Sequence, residues 1–279
     1  TIRVKSNTAG TYSAQTLNIQ NNPPKAQGIN TVAQGIEEAD PMKGIKEIVP
    51  PVANRTGSAE VSIPIEVPEG INGLTPKLSI DYSSDDRKMG NCGVGWNLKM
   101  SSIEIKTKNK GIPKYDGTDT YMLDGEELVH VGTESGVEIY RMMNESEFLR
   151  IEKINNNGVE YFVVKTPDGL TKTYGFDRNA RLSEESVSDK KTYMWYINKV
   201  EDKFGNLINY SYNAIIIDSS GIDVNTESFL SEISYGYNQA LEIVFNWQNS
   251  FSKGHASTTM PGFKTTNSKI LNSIYIYDN

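Results

Sequence analysis

Residues 57–98, GSAEVSIPIEVPEGINGLTPKLSIDYSSDDRKMGNCGVGWNL, constrain the fold more than any other stretch of the chain. Val61, Ile63, Ile65 and Val67 alternate with Ser62, Pro64 and Glu66. That period of two belongs to a strand with one buried face. Pro68, Gly70, Asn72 and Gly73 punctuate a turn, and alternation resumes at Leu78, Ile80 and Tyr82. Pro64 and Pro76 have no amide hydrogen for a ladder, which places these strands at a sheet edge or their residues at a strand start. Gly93 and Gly95 flank Val94 just before Trp96. This pattern predicts backbone packed against neighbouring strands under a large buried ring.

The same grammar continues. Leu98 and Met100 share one parity and Ile103 and Ile105 the other, which predicts a bulge at Ser101-Ser102. Asp124-Gly125 is the strongest hairpin turn, joining YML to EELV. A meander follows. Leu128–Val131 is expected to pair with Val137–Met142 across Gly132–Gly136. Phe148–Ile154 turns at Asn155–Gly158 into Val159–Lys165, and Pro167-Asp168-Gly169 leads into Leu170–Tyr174. Further on, Tyr210 and Tyr212, Tyr235 and Tyr237, and Tyr275 and Tyr277 each place two rings on one strand face. Residues 1–56 differ. They hold two short strand-like pieces, Thr1–Val4 and Leu17–Ile19, one helix-compatible stretch, Thr31–Asp40, and otherwise polar sequence with Pro23-Pro24 and Pro50-Pro51. They read as an extended linker or strap.

The first stretch resembles the signature of the SpvB-type N-terminal domain, found in a virulence-plasmid toxin and in the B component of insecticidal Tc toxins. Gly57, Ala59, Ser62, Ile63, Pro64, Ile65, Val67, Pro68, Gly70, Gly73, Leu74, Pro76, Leu78, Ser79, Tyr82, Ser83, Gly93, Gly95, Trp96 and Leu98 stand at matching places. Val61, Glu69 and Cys92 depart from it. The later aromatic pairs resemble the Rhs or YD repeat. Gly205, Tyr210 and Tyr212 fit one copy, with Asn213 for the usual Asp; Tyr174, Asp177, Arg181 and Leu182 fit a second, with Phe176 for Tyr and Ala180 for Gly. The resemblance implies stacked hairpins in a spiralling sheet that walls off a hollow shell.

Composition narrows the chemistry. The net charge is −7 and no run of five like charges occurs, so neither nucleic acid nor anionic lipid is an expected partner. Fifteen Tyr against eight Phe suits many half-exposed strands. One Cys forms no internal disulfide, and no window approaches a membrane span. The chain opens on Thr1, which reads as a processed or excised piece of something longer.

The reactive side chains are few. His130 sits between Val129 and Val131 in a strand-like run, and His255 lies 125 residues away. Cys92 falls in a Gly-rich turn, where packing is the expected role. Asp116 and Asp119 lack the EF-hand spacing and read as turn formers. An ADP-ribosyltransferase follows this domain in the virulence toxin. Glu145-Ser146-Glu147 and Ser257-Thr258-Thr259 superficially match its motifs but occur in reversed order. Asp40-Pro41 stands at the wrong end for the Rhs aspartyl autoprotease. Trp96, Trp195 and Trp247 are candidates for a sugar-stacking platform, with core packing the favoured role.

These readings converge on an all-β fold of stacked hairpins and meanders with little helix, part of an Rhs-type spiralling β-shell. The expected divisions are a strap at 1–56, the signature β-domain at 57–173 and YD-like hairpins at 174–279. The expected function is a non-enzymatic module of a large secreted or surface-delivered bacterial toxin-like protein, enclosing a C-terminal toxin. The alternative is an adhesin or carbohydrate- or protein-binding module. No catalytic, cofactor-binding or metal-binding residue is assigned. The expected partners are the remainder of the same polypeptide or other toxin-complex subunits, with glycan or receptor contact the secondary option. Ile274–Tyr277, at the last aromatic pair, is expected to pair with material outside this chain.

Overall fold

The computed structural model describes residues 4–8, 57–145, 147–185, 190–219, 222–250 and 256–278. The readings at Leu17–Ile19, Thr31–Asp40, Asp40-Pro41, Ser146 and His255 lie outside the described residues, as does the strap from 9 to 56. Within them the protein is all-β: the only helical elements are three single 3-10 turns.

Strand β1 (Val4–Thr8) lies at one margin of the large sheet. A separate small sheet follows. It is built from β2 (Glu60–Ile65), β3 (Leu78–Ser83), β4 (Met89–Gly90), β5 (Gly93–Val94) and β6 (Trp96–Leu98), in the order β2-β3-β6-β5-β4. Pro64 therefore sits in an edge strand, as its missing donor requires. The alternation is real but buries less than expected: Leu78 and Ile80 on β3 are buried, whereas Ile63 on the edge strand stays 40% exposed. Trp96 is half-buried, not fully buried. It lies opposite Tyr82 on β3, with ring centroids 5.0 Å apart, and packs against the core from its margin. The close backbone approach does hold at Gly95. Its φ is +73°, and a Cβ there would stand 2.8 Å from the Ser83 carbonyl oxygen.

The parity change at Ser101-Ser102 is not a bulge. The chain leaves the small sheet after Leu98 and enters the large one at β7 (Ser102–Ile105). Asp124 secures the crossing by accepting the Ser102 amide (2.9 Å) and the Ser101 hydroxyl (2.8 Å).

From β7 the chain runs as an antiparallel meander: β8 (Tyr121–Leu123), β9 (Glu126–Glu134), β10 (Val137–Met142), β11 (Arg150–Asn156), β12 (Val159–Lys165) and β13 (Thr171–Tyr174). The Asp124-Gly125 turn appears as expected, both residues with positive φ. The β9–β10 turn is tighter than the sequence reading. It uses only Ser135-Gly136, while Gly132 lies inside β9 opposite Ile139, beside a bulge that skips Val131. Asn157-Gly158 forms the β11–β12 turn.

Next come β14 (Arg181–Glu185) and β15 (Lys190–Glu201). β13 pairs with β15, and β15 also pairs with β7 through Met194↔Glu104, Trp195↔Ile103 and Tyr196↔Ser102. Eight strands, β7 to β13 plus β15, thus close on themselves. Eight strands give an interior just wide enough to be filled by side chains. Tyr121, Tyr140, Phe162 and Trp195 meet there edge-to-face at 5.0–6.4 Å.

β16 (Leu207–Ser219) and β17 (Ile222–Tyr235) form a long hairpin. With β14 and β15 they make a second closed circuit, since β14 and β16 each pair with both β15 and β17. β18 (Leu241–Asn249) extends the sheet from β17. β19 (Ala256–Thr258) and β20 (Thr265–Asn267) form a two-stranded flap, and β21 (Lys269–Asp278) returns beside β18. The expected unpartnered edge at Ile274–Tyr277 is occupied by the chain itself. β1 pairs with it in parallel, Val4 opposite Ile274 and Thr8 opposite Asp278. Parallel strands cannot be joined by a tight hairpin, and here the chain from Thr8 to Lys269 separates the two. The aromatic pairs also differ among themselves. Tyr210 and Tyr212 are both buried; Tyr235 is buried while Tyr237 is 75% exposed in a 3-10 turn.

Trp195 is the hub of the ring at 1% exposure, and its indole N–H donates to the Glu160 carbonyl at 2.9 Å. Gly175, with φ +68°, lies flat against it: a Cβ there would stand 2.2 Å from the indole ring. Trp195→Ala is expected to cost about 3–5 kcal/mol, and Gly175→Ala about 2–4 kcal/mol through overlap and backbone strain. Urea denaturation of both variants checks this; an unchanged midpoint for either would contradict the packing described.

Candidate functional site

Among the described residues, several side chains singled out by their chemistry make local structural contacts. His130 is exposed on β9, its ring edge-on to Tyr140 at 5.2 Å. Cys92 is half-buried; its thiol donates to Asn91 Oδ1 at 3.4 Å. Burial pushes that thiol up to about 11, against the smaller opposing effect of the Leu98 backbone hydrogen bond. Asp116 accepts from the amide and hydroxyl of Thr118, and this holds its carboxyl below the usual range. Asp119 accepts the amides of Lys114 and Tyr115. Both therefore form turns, as the sequence indicates.

The Glu145 and Glu147 pair is exposed, and Glu145 lies 3.7 Å from Arg141. Glu147 borders a hollow lined by Leu123, Met142 and Tyr174, to which neither Ser257 nor Thr258 contributes. Those two residues sit on β19, in the flap. The tryptophans do not form one platform. Trp195 is inside the ring; Trp247 is half-buried beside Phe229 and donates its indole N–H to the Leu230 carbonyl at 2.6 Å.

Two polar features escaped the sequence. Lys153 shares the inward face of β11 with Ile151 and so points into the ring at 7% exposure. Its ammonium lies 2.9 Å from Glu160, 3.9 Å from Glu138 and 5.3 Å from the Tyr121 ring centroid. Burial alone would lower its pKa; Tyr121 and Glu160 outweigh burial and raise it. Glu227, 5% exposed on β17, accepts the amides of Ser268 and Lys269 at 2.9 Å, the Ser268 hydroxyl at 2.5 Å and the Thr266 hydroxyl at 3.3 Å. It staples the β20–β21 junction to β17. That junction in turn holds the small sheet, since Asn267 donates to the Met89 carbonyl (2.9 Å) and the Leu271 amide to the Asn91 carbonyl (2.7 Å).

With this geometry in hand, the family model described as Salmonella virulence plasmid 65kDa B protein, SpvB, matches residues 53–259. The chain belongs to the SpvB family. Its fold is similar to the N-terminal domain of effector protein SpvB from Salmonella typhimurium strain LT2 (TM-score 0.62, 23% identity, covering 75% of this chain and 85% of that one). It is also similar to a chain in the crystal structure of TcdB2-TccC3-Cdc42 (TM-score 0.66, 23% identity, 80% of this chain). A third likeness is to the Photorhabdus luminescens Tc holotoxin pore carrying the TccC3-D651A mutation (TM-score 0.62, 22% identity, 81% of this chain). This SpvB-family chain spans 13% of the length of each of those two Tc toxin chains. Comparison with curated protein sequences gives no match. Among the described residues no helix is long and apolar enough to cross a membrane.

Two outcomes test the roles assigned here. At pH 8 a thiol titrating near 11 is about a hundredfold less ionised than one at its ordinary value of 9.0. Cys92 is therefore expected to react about a hundredfold more slowly with an aromatic disulfide reagent than an unfolded control; equal rates would show a reactive thiol. The raised value also means that stability from this group is present below pH 9 and is lost as pH rises from 9 to 11. Glu227→Ala strands two backbone donors and is expected to cost about 2–4 kcal/mol. Hydrogen exchange should then rise at Ser268 and Lys269; unchanged protection there would remove the staple role.

Proposed function

We propose that this chain is a non-enzymatic structural module of a large, secreted, bacterial toxin-like protein, forming part of a β-shell around a C-terminal toxin or effector segment. The observation that carries this reading is the doubly closed sheet. The interior of the eight-strand ring is filled by aromatic and aliphatic side chains together with Lys153, so the ring is a wall element and not itself the container. Enclosure would fall to the continuing sheet, β17-β18-β21-β1, completed by the remainder of the same polypeptide or by other toxin-complex subunits. Residues 174–279 would supply YD-like hairpins to that wall. The fold likeness to part of the Tc toxin chains supports this reading.

The candidate reactive groups support a role without catalysis, because Cys92, Asp116 and Asp119 are committed to local hydrogen bonds. The adhesin alternative rests on exposed rings. Phe148, Phe204 and Tyr237 are each about 70% exposed, but they stand singly in connecting segments.

Limited proteolysis of the full polypeptide tests the shell. Its C-terminal segment is expected to resist protease in the wild type and to become cleavable in the Gly175→Ala variant, which disturbs the ring. Equal cleavage in both proteins, or specific glycan binding with an unprotected C-terminus, would overturn the reading. Replacing His130, His255, Glu145 and Glu147 together is expected to leave any biological effect and NAD consumption unchanged, with folding verified by circular dichroism. A loss of NAD consumption would instead reveal a transferase.

A further inference from the structure

Where the small sheet meets the large one, a cavity of about 320 Å³ remains. That is at the lower end of small-molecule sites, which run from about 300 to 1,000 Å³. Its walls are aromatic and thioether side chains. Trp247 and Phe229 lie on one side with ring centroids 5.7 Å apart; Tyr196 and Tyr212 stack at 5.4 Å and 25° on another; Met100 covers it from the crossing between sheets. The polar groups at its margin are already satisfied. Asn91 Oδ1 accepts the Leu98 amide, Asn267 donates to Met89, and Glu227 is saturated by the β20–β21 junction. These bonds fix the walls and turn aromatic rings to the cavity, with the Glu227 carboxylate at its margin already engaged by its donors.

Two groups are not satisfied in this way. The Tyr212 hydroxyl is buried with no hydrogen-bond partner. Lys269 also lines the cavity. Its ammonium donates to the neutral Asn249 Oδ1 at 2.7 Å and lies 5.8 Å from the Phe229 ring centroid. Among the described residues its ammonium's partners are this amide oxygen and this ring, in a chain whose net charge is −7. A cation beside aromatic walls selects a ligand with a flat apolar body and a single anionic end.

We infer that this cavity is a binding site for a small aromatic acid of one or two rings. The rings enter between Trp247 and Tyr196, and the carboxylate faces Lys269. Because its walls come from both sheets, an occupant stiffens their junction. The site is independent of the shell reading and survives if that reading fails.

The probe is 2-naphthoate, with 2-naphthalenemethanol as its uncharged counterpart. Calorimetry and thermal melting are run on the wild type, Met100→Trp and Lys269→Met. Naphthoate is expected to bind the wild type at one site and raise its Tm. Met100→Trp fills the cavity and should weaken both compounds at least about tenfold. Lys269→Met should weaken naphthoate up to about fivefold while leaving the alcohol within about twofold, as for a partly exposed ion pair. No saturable binding to the wild type would overturn the site. So would equal naphthoate affinity in the wild type and a folded Met100→Trp. If Met100→Trp does not fold, Lys269→Met decides: equal losses for acid and alcohol, or no loss for the acid, reject the assignment.

Discussion

Three register pairs, Ser102 with Tyr196, Ile103 with Trp195 and Glu104 with Met194, hold this architecture together. They convert a meander with two open edges into a ring. They also place Ile103 and Trp195, both buried, side by side in the wall. β15 is shared: it closes the first circuit through β7 and the second through β14 and β16. Loss of this one pairing would open the first circuit and expose unpaired backbone along β7 and the facing part of β15, a condition that favours aggregation.

The polar interior follows the same economy. A lysine inside a closed ring is tolerable only with its charge answered, and Glu160, Glu138 and the face of Tyr121 answer that of Lys153. Glu227 does the corresponding task between layers, gathering donors from a junction where three strands from two sheets converge. Both residues are engaged in holding the architecture.

Much of this was legible in the sequence, and the limits have physical causes. Asp124-Gly125 and Asn157-Gly158 were readable because two-residue hairpin turns demand positive φ and few residues supply it. The signature strands and the edge position of Pro64 were readable for equally local reasons. Ring closure was not, since a period of two records which way a side chain faces and is silent on which distant strand lies beside it. The parity change at Ser101-Ser102 illustrates this: a kink within a strand and a departure to another sheet look alike in one dimension. The glycine-rich frame drew attention to Trp96, yet the fully buried ring is Trp195, whose neighbours Met194 and Tyr196 give no local hint. At the last strand, unpartnered edges were expected, but β1 comes back to cover Ile274–Tyr277. Glu227 lay hidden in Asn225-Thr226-Glu227-Ser228, an ordinary polar run until the fold brings Ser268 to it.

The long reach of the closing pairs has a kinetic consequence. Glu104 and Met194 are ninety residues apart in the chain. During synthesis at about 5–20 residues per second, the β7 edge must wait several seconds for its mate. Over that interval the meander is an incomplete sheet with β7 unprotected, and non-local pairing of this kind is intrinsically slow. A chain built this way stays pliable until late. Once the last strand of the ring is seated, it becomes hard to reopen from either end.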